Sequence, residues 1–174
     1  RDLHSFPTRR SSDLLVIGAA LCSNLFNTVR GATVAYFFVD IIGADVSLTF
    51  MGMTFLFYAG LFLGVGEVSN MVGVALCVPI ANKLGKKTTF IIVNALLLVF
   101  SILFFFIPIT PSGFWIMLIF QVIISILTGV MSPLIWSMYA DVSDYAELEF
   151  RTASTGLIFS SASMAQKFGG AIGG

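Results

Sequence analysis

Two side chains stand where an apolar sequence has no ordinary use for them. Arg30 and Lys167 each lie well inside a long apolar run, about 15 residues from its start and so roughly 22 Å along a helix axis. If those runs cross a bilayer, both cations sit near its middle, at a cost of roughly 2.5–3.5 kcal/mol each even on insertion-based scales. Neither has an acidic residue three or four positions away on its own helix, so a partner must come from another helix or from a ligand. Two roles follow: contact with a bound substrate, or pairing with a fixed carboxylate that holds helices together. Asn24 and Asn27 share a helical face with Arg30 and Gly31, and one polar face on an apolar span suggests a water-filled cavity, with Tyr36 as its extension. Gln166 and the serines Ser160, Ser161 and Ser163 make the run around Lys167 a hydrogen-bonding surface. Serines by themselves are common packing residues in membrane helices.

A second constellation is acidic. Asp141, Asp144 and Tyr145 follow i, i+3, i+4 spacing, and Glu147 and Arg151 form an i, i+4 pair of opposite sign. Such residues can form a gate whose ion pairs make and break as one side of a transporter closes and opens. Asp-x-x-Asp can also hold a divalent metal and a diphosphate, as in a membrane-embedded prenyl transferase. That enzyme would want a second acidic cluster and basic phosphate partners, which the sequence does not supply. A third cluster, Asn82, Lys83, Gly85, Lys86 and Lys87, is a short basic turn. The single histidine is His4, and Cys22 and Cys77 both lie in apolar blocks, where a thiol acts as a small hydrophobe. No Cys/His spacing suits a metal, no glycine-rich loop resembles a nucleotide-binding P-loop, and neither an enzyme activity nor a cofactor is expected. The zero formal net charge gives no reason to expect a nucleic-acid partner.

The elements that must position these residues are membrane helices. With 57% apolar and 10% charged residues and a mean hydropathy of +0.99, the chain is far from the roughly 45–50% apolar and 25% charged of a soluble domain. Its apolar residues come in blocks that match a hydrocarbon core of about 30 Å. Spans are expected at 15–42, 60–81, 89–107, 114–139 and 153–174, the second preceded by an oblique or interfacial lead-in that begins at Ser47. Pro133 should kink the fourth span, and Trp115 should anchor its start at the interface. Asp40 and Glu67 are expected near the ends of their spans, within reach of water. Gly169/Gly173 and Gly170/Gly174 have the small-xxx-small spacing of close helix contacts. The run 90–106 is interrupted only by Asn94 and Ser101, which excludes the alternating strands of an outer-membrane barrel. Lys83, Lys86 and Lys87 mark the cytoplasmic side. Two spans later, residues 141–151 return to it, and the turns at 43–45 and 108–113 are external. Residues 1–14 lack the apolar core of a signal peptide and resemble translated sequencing adapter, so the native reading frame is expected to begin near Leu15.

The polar motifs also carry a resemblance. Ala-Asp-Val-Ser-Asp-Tyr-Ala-Glu at 140–147, with Arg151, Gly156 and Ser160, resembles the loop and helix pattern of the glycoside-pentoside-hexuronide:cation symporters, the melibiose permease relatives within the major facilitator superfamily. Asn-Thr-Val-Arg-Gly-Ala-Thr-Val-Ala-Tyr-Phe-Phe at 27–38 looks like their seventh helix, and residues 82–87 look like the second copy of the superfamily's basic loop. The resemblance covers 15–174 and implies an all-α fold, the carboxyl-terminal half of a twelve-helix bundle cut within helix eleven, in a bacterial inner membrane. It implies import of a sugar or glycoside coupled to Na+ or H+, with the cation carboxylates in an amino-terminal half of the same protein. A sugar-sensing relative that binds without transporting would share the pattern. By the same resemblance, Lys167 matches a lysine near the sugar and cation sites, and Asp141, Asp144 and Glu147 match an acidic gating loop. Asn82 stands where the family's basic loop has an aspartate, which leaves that latch without one of its charges.

Overall fold

The computed structural model describes residues 6–42, 46–50, 53–57, 59–150 and 155–173. Among these, five α-helices carry the fold: α1 (Phe6–Tyr36), continued by a π-helical segment (Phe37–Ile42), α2 (Ala59–Leu84), α3 (Lys86–Phe105), α4 (Pro111–Phe150) and α5 (Thr155–Gly173). Among the described residues, three stretches are long and apolar enough to cross a membrane: Ala59–Leu84, Lys86–Phe105 and Ser112–Asp144. The more polar α1 and α5, which carry Arg30 and Lys167, fall outside that measure.

Between the π-helical segment and α2, the structure departs from the expected oblique lead-in. Strands β1 (Val46–Phe50) and β2 (Met53–Phe57) pair antiparallel, with Val46 opposite Phe57 and Phe50 opposite Met53. The physical reason is visible in Val-Ser-Leu-Thr-Phe, which alternates apolar and polar residues with the period of a strand. Ser47, Thr49, Met53 and Thr54 are exposed.

The chain divides into two compact units, Val34–Leu134 and a second made of Arg1–Thr33 with Ile135–Gly174. In the first, α2 buries a single stripe, Phe62, Gly66, Ser69, Gly73 and Cys77, spaced so that all five lie on one helical face. That stripe meets α4. A Cβ on Gly73 would run into the carbonyl of Ile126, and one on Gly129 into the carbonyl of Asn70, so the two helices touch backbone to backbone. Gln121 of α4 donates from Nε2 to the Phe62 carbonyl at 3.3 Å. Asn94 of α3 donates to its own helix at Phe90 O (2.8 Å) and lies 3.1 Å from Met131 Sδ on α4. Phe38, Phe62, Phe114 and Met117 form an apolar cluster with Val34. The large residues Val68, Met71, Val78, Leu98 and Phe105 face outward. Small residues at the close helix contacts, with large apolar side chains exposed on the outer faces, suit helices solvated by lipid.

The basic turn is shorter than expected. Lys83 lies in the last turn of α2, Lys86 and Lys87 open α3, and Gly85 alone breaks the helix, with φ at 81°. Its N–H donates to the Ala81 carbonyl at 2.9 Å, and its own carbonyl accepts from Thr89 N (3.0 Å) and Thr89 Oγ1 (2.9 Å).

Candidate substrate-facing site

In the unit formed by Arg1–Thr33 and Ile135–Gly174, α5 has two distinct faces. On one, Ala162 and Ala165 are buried at 0% and 7% exposure, and Gly169 continues the same stripe. This face lies on α1. A Cβ on Gly169 would come within 2.8 Å of the Leu21 carbonyl and 3.3 Å of Asn24 Cβ, and one on Gly173 within 3.1 Å of Thr28 Cβ and 3.2 Å of Leu25 Cδ1. The α1 residues that receive it, Leu21, Asn24, Leu25 and Thr28, recur at helical spacing. Gly169 and Gly173 therefore act as the small-residue contact their spacing predicts. Gly170 faces Thr28 more loosely, at 3.8 Å from its Oγ1, and Gly174 lies outside the described residues.

The other face of α5 carries Ser160, Ser163, Met164, Lys167, Phe168 and Ala171, which line an open recess of about 550 Å³. These positions follow i, i+3/i+4, i+7/i+8, i+11 and so form one helical stripe. Close packing on the glycine side turns this stripe outward, and Lys167 is exposed on it. Two hydroxyl-bearing residues and a primary ammonium beside an apolar wall of Met164 and Phe168 suit a ligand that has hydroxyl groups, an apolar ring face and an anionic substituent. Gln166 is half-buried beside this stripe.

The polar stripe expected on α1 divides. Asn24 is half-buried against α5, whereas Asn27 and Gly31 are exposed. Arg30 is half-buried and engaged with a neighbouring group, whereas Lys167 is exposed. Tyr36, 69% exposed, belongs to the other unit. Asp40 and Glu67 are exposed.

The acidic cluster is helical rather than a loop. The helix that begins at Pro111 runs through Phe150, 40 residues or about 60 Å, twice the thickness of a hydrocarbon core. Its last turns can therefore project beyond the apolar layer, which is why charges are tolerated there. Asp141 and Asp144 are exposed, and Ser143 between them is 2% exposed. The backbone at Tyr145 and Glu147 is helical; Arg151 lies outside the described residues, so the Glu147–Arg151 pair does too. Pro133 is accommodated inside the helix.

Sequence reasoning passed over two features. Gln121 and Ser125, at 2% and 5% exposure, place polar atoms against Gly66 in the apolar contact of α2 with α4; their i, i+4 spacing in an otherwise apolar span was the available signal. Trp136 and Tyr139 of α4 meet Phe159 of α5, with ring centroids 5.7 to 6.4 Å apart. No local pattern announces that cluster, because it depends on where α5 returns.

Comparison with known proteins identifies relatives of the chain. A family model described as MFS/sugar transport protein matches residues 9–174, including the last six positions of the adapter-like segment. The chain is 33% identical over 146 residues to the inner membrane symporter YicJ of Escherichia coli K12, an alignment covering 84% of the chain and 29% of that protein. It is 33% identical over 119 residues to the glucuronide carrier protein homolog of the same organism, covering 66% of the chain and 26% of the relative. The chain thus spans less than a third of the length of either relative. No solved structure matches it. A helical bundle with lipid-facing spans, the motifs at 27–38 and 140–147, and a family match along nearly the whole chain lead to one assignment: this is a multi-pass membrane protein that belongs to the sugar transport proteins of the major facilitator superfamily, in the glycoside-pentoside-hexuronide:cation symporter group.

Proposed function

We propose that the intact protein is a secondary active transporter of the bacterial inner membrane, importing a sugar or glycoside in symport with Na+ or H+ by alternating access. The observation that carries this reading is the exposed stripe Ser160, Ser163 and Lys167 on a helix whose opposite face is locked against α1 by Gly169 and Gly173. A polar stripe held in place by backbone-close packing is a pre-organised wall for a hydroxylated substrate. In an α-helical transporter such walls meet near the bilayer midplane, between two repeats. The other wall and the coupling-cation carboxylates are assigned to an amino-terminal half of the same protein, consistent with the share of its relatives that this chain spans.

Lys167 narrows the substrate class. An exposed ammonium at this depth is neutralised by an anion, and a glycoside bearing a carboxylate supplies one on the sugar itself. One relative is named as a glucuronide carrier homolog, which supports a uronide over a neutral sugar. Asn24, Asn27, Arg30, Tyr36 and Gln166 belong to this reading as substrate or coupling residues. Asp141, Asp144, Tyr145, Glu147 and Arg151 belong to it as the cytoplasmic gate, and Asn82, Lys83, Gly85, Lys86 and Lys87 as the basic loop between α2 and α3.

Uptake of radiolabelled glucuronides by vesicles holding the full-length protein, with and without an imposed Na+ or H+ gradient, tests the proposal. Accumulation is expected only with a gradient, and equal uptake without one would overturn symport. Lys167→Ala is expected to abolish accumulation of the uronide. Wild-type accumulation by that variant would assign the lysine to helix packing instead. Magnesium-dependent turnover of a prenyl diphosphate would move the protein to the diphosphate-transfer reading of Asp141 and Asp144.

A further inference from the structure

The aromatic cluster between α4 and α5 contains a polar atom in an unfavourable place. Tyr139 is 1% exposed, and among the described residues its hydroxyl has no hydrogen-bond partner. Its ring packs against Trp136 on the same helix (centroids 5.7 Å, 66°) and Phe159 on α5 (6.4 Å, 55°), while Trp136 and Phe159 lie nearly parallel at 6.0 Å and 13°. The three rings fasten α4 to the first turns of α5, two residues before Asp141 on one side and one residue before Ser160 on the other. Aromatic contacts of this kind add to the stability of the closed packing. A buried hydroxyl that has lost its water and found no partner subtracts from it. A residue meant only to fill the space would be phenylalanine.

We propose that Trp136, Tyr139 and Phe159 form a releasable clasp between α4 and α5, and that the Tyr139 hydroxyl sets how easily it opens. With the clasp closed the hydroxyl is buried and, among the described residues, unpaired. When α5 moves away from this part of α4, water reaches the hydroxyl and supplies hydrogen bonds, so the open packing recovers part of the contact energy lost between the rings. The hydroxyl thus brings closed and open packings closer in free energy, which a protein that alternates between them requires. The closed clasp also holds the α5 stripe of Ser160, Ser163 and Lys167 in register with α4, because Phe159 adjoins Ser160. This assignment rests on the alternating-access reading above, but the clasp can be measured without transport.

The experiment is amide hydrogen exchange on the full-length protein in lipid nanodiscs, read over residues 136–144 and 155–160, for wild type, Tyr139→Phe and Phe159→Ala. Removing the unpaired hydroxyl is expected to slow exchange in both segments about tenfold, the factor for a penalty near the low end of that measured for buried unsatisfied groups. Removing the α5 ring is expected to speed it. In uptake assays, Tyr139→Phe is expected to lower kcat several-fold with KM little changed. Exchange that is unchanged or faster in Tyr139→Phe would overturn the proposal, since the hydroxyl would then be bonded in the closed packing. Exchange that responds as expected, with kcat at the wild-type value, would also overturn it by removing the clasp from the transport cycle. If the wild-type protein accumulates no sugar while both variants shift exchange as expected, the clasp stands and the symport reading fails.

Discussion

Glycine positions separate close contacts from open space in a way that substitution can read. Gly73 and Gly129 sit where α2 and α4 meet backbone to backbone, and a Cβ on either would strike a main-chain carbonyl that cannot rotate away. Gly64, on the same helix, has nothing within 4 Å of an added Cβ. Gly73→Val is therefore expected to destabilise by about 1–3 kcal/mol through overpacking and to lower the thermal midpoint in detergent, whereas Gly64→Ala should change it little. Equal midpoints for the two variants would remove the close contact. None of this distinction is local in the sequence: Gly64, Gly66 and Gly73 look alike within α2, and only the approach of Gln121 and Gly129 sorts them. Arg30 and Lys167 teach the same lesson. Both register as costly cations in apolar runs, but the structure leaves Lys167 exposed on its stripe and engages Arg30 with a neighbour.

Helices and their joints show how far a pattern in the chain reaches. Block hydropathy locates α2, α3 and α4 because each must bury its backbone in its own hydrogen bonds to cross lipid. It fails at the ends, where polar residues look like loop. Residues 141–150 read as a loop because they are charged, but α4 simply continues outward. At the α2–α3 joint, a single residue replaces the expected turn, and its φ of 81° with ψ of 147° lies in a region nearly confined to glycine, which costs residues with a Cβ about 1–3 kcal/mol. Gly85→Ala is expected to lower the thermal midpoint by a matching amount, and a variant that melts with wild type would show that the joint relaxes into an ordinary turn. The β1–β2 hairpin was legible in Val-Ser-Leu-Thr-Phe, whose alternation is strand-like, but five residues inside a 35-residue apolar stretch are easily absorbed into a helix reading.

For the molecule as a membrane protein, the count of crossings predicts sidedness. The Lys83/Lys86/Lys87 joint and the end of α4 near Asp144 are separated by two crossings, α3 and α4, and basic joints stay cytoplasmic. Single cysteines at Lys87 and Asp144, placed in a full-length protein whose native cysteines are replaced, should both react with an impermeant maleimide only from the cytoplasmic face. A cysteine at Ser112 should react only from outside, and labelling of all three from one side would break the topology. Membrane residence, helical class and family could be read from residue order alone, because lipid solvation demands long apolar blocks and because the motifs at 27–38 and 140–147 are contiguous in the chain. Which of the polar residues face a ligand, which pack, and which glycines touch a neighbouring backbone could not, because each depends on which face of one helix another helix covers. That covering turns the Ser160–Ser163–Lys167 stripe outward and buries the Tyr139 hydroxyl with no partner among the described residues.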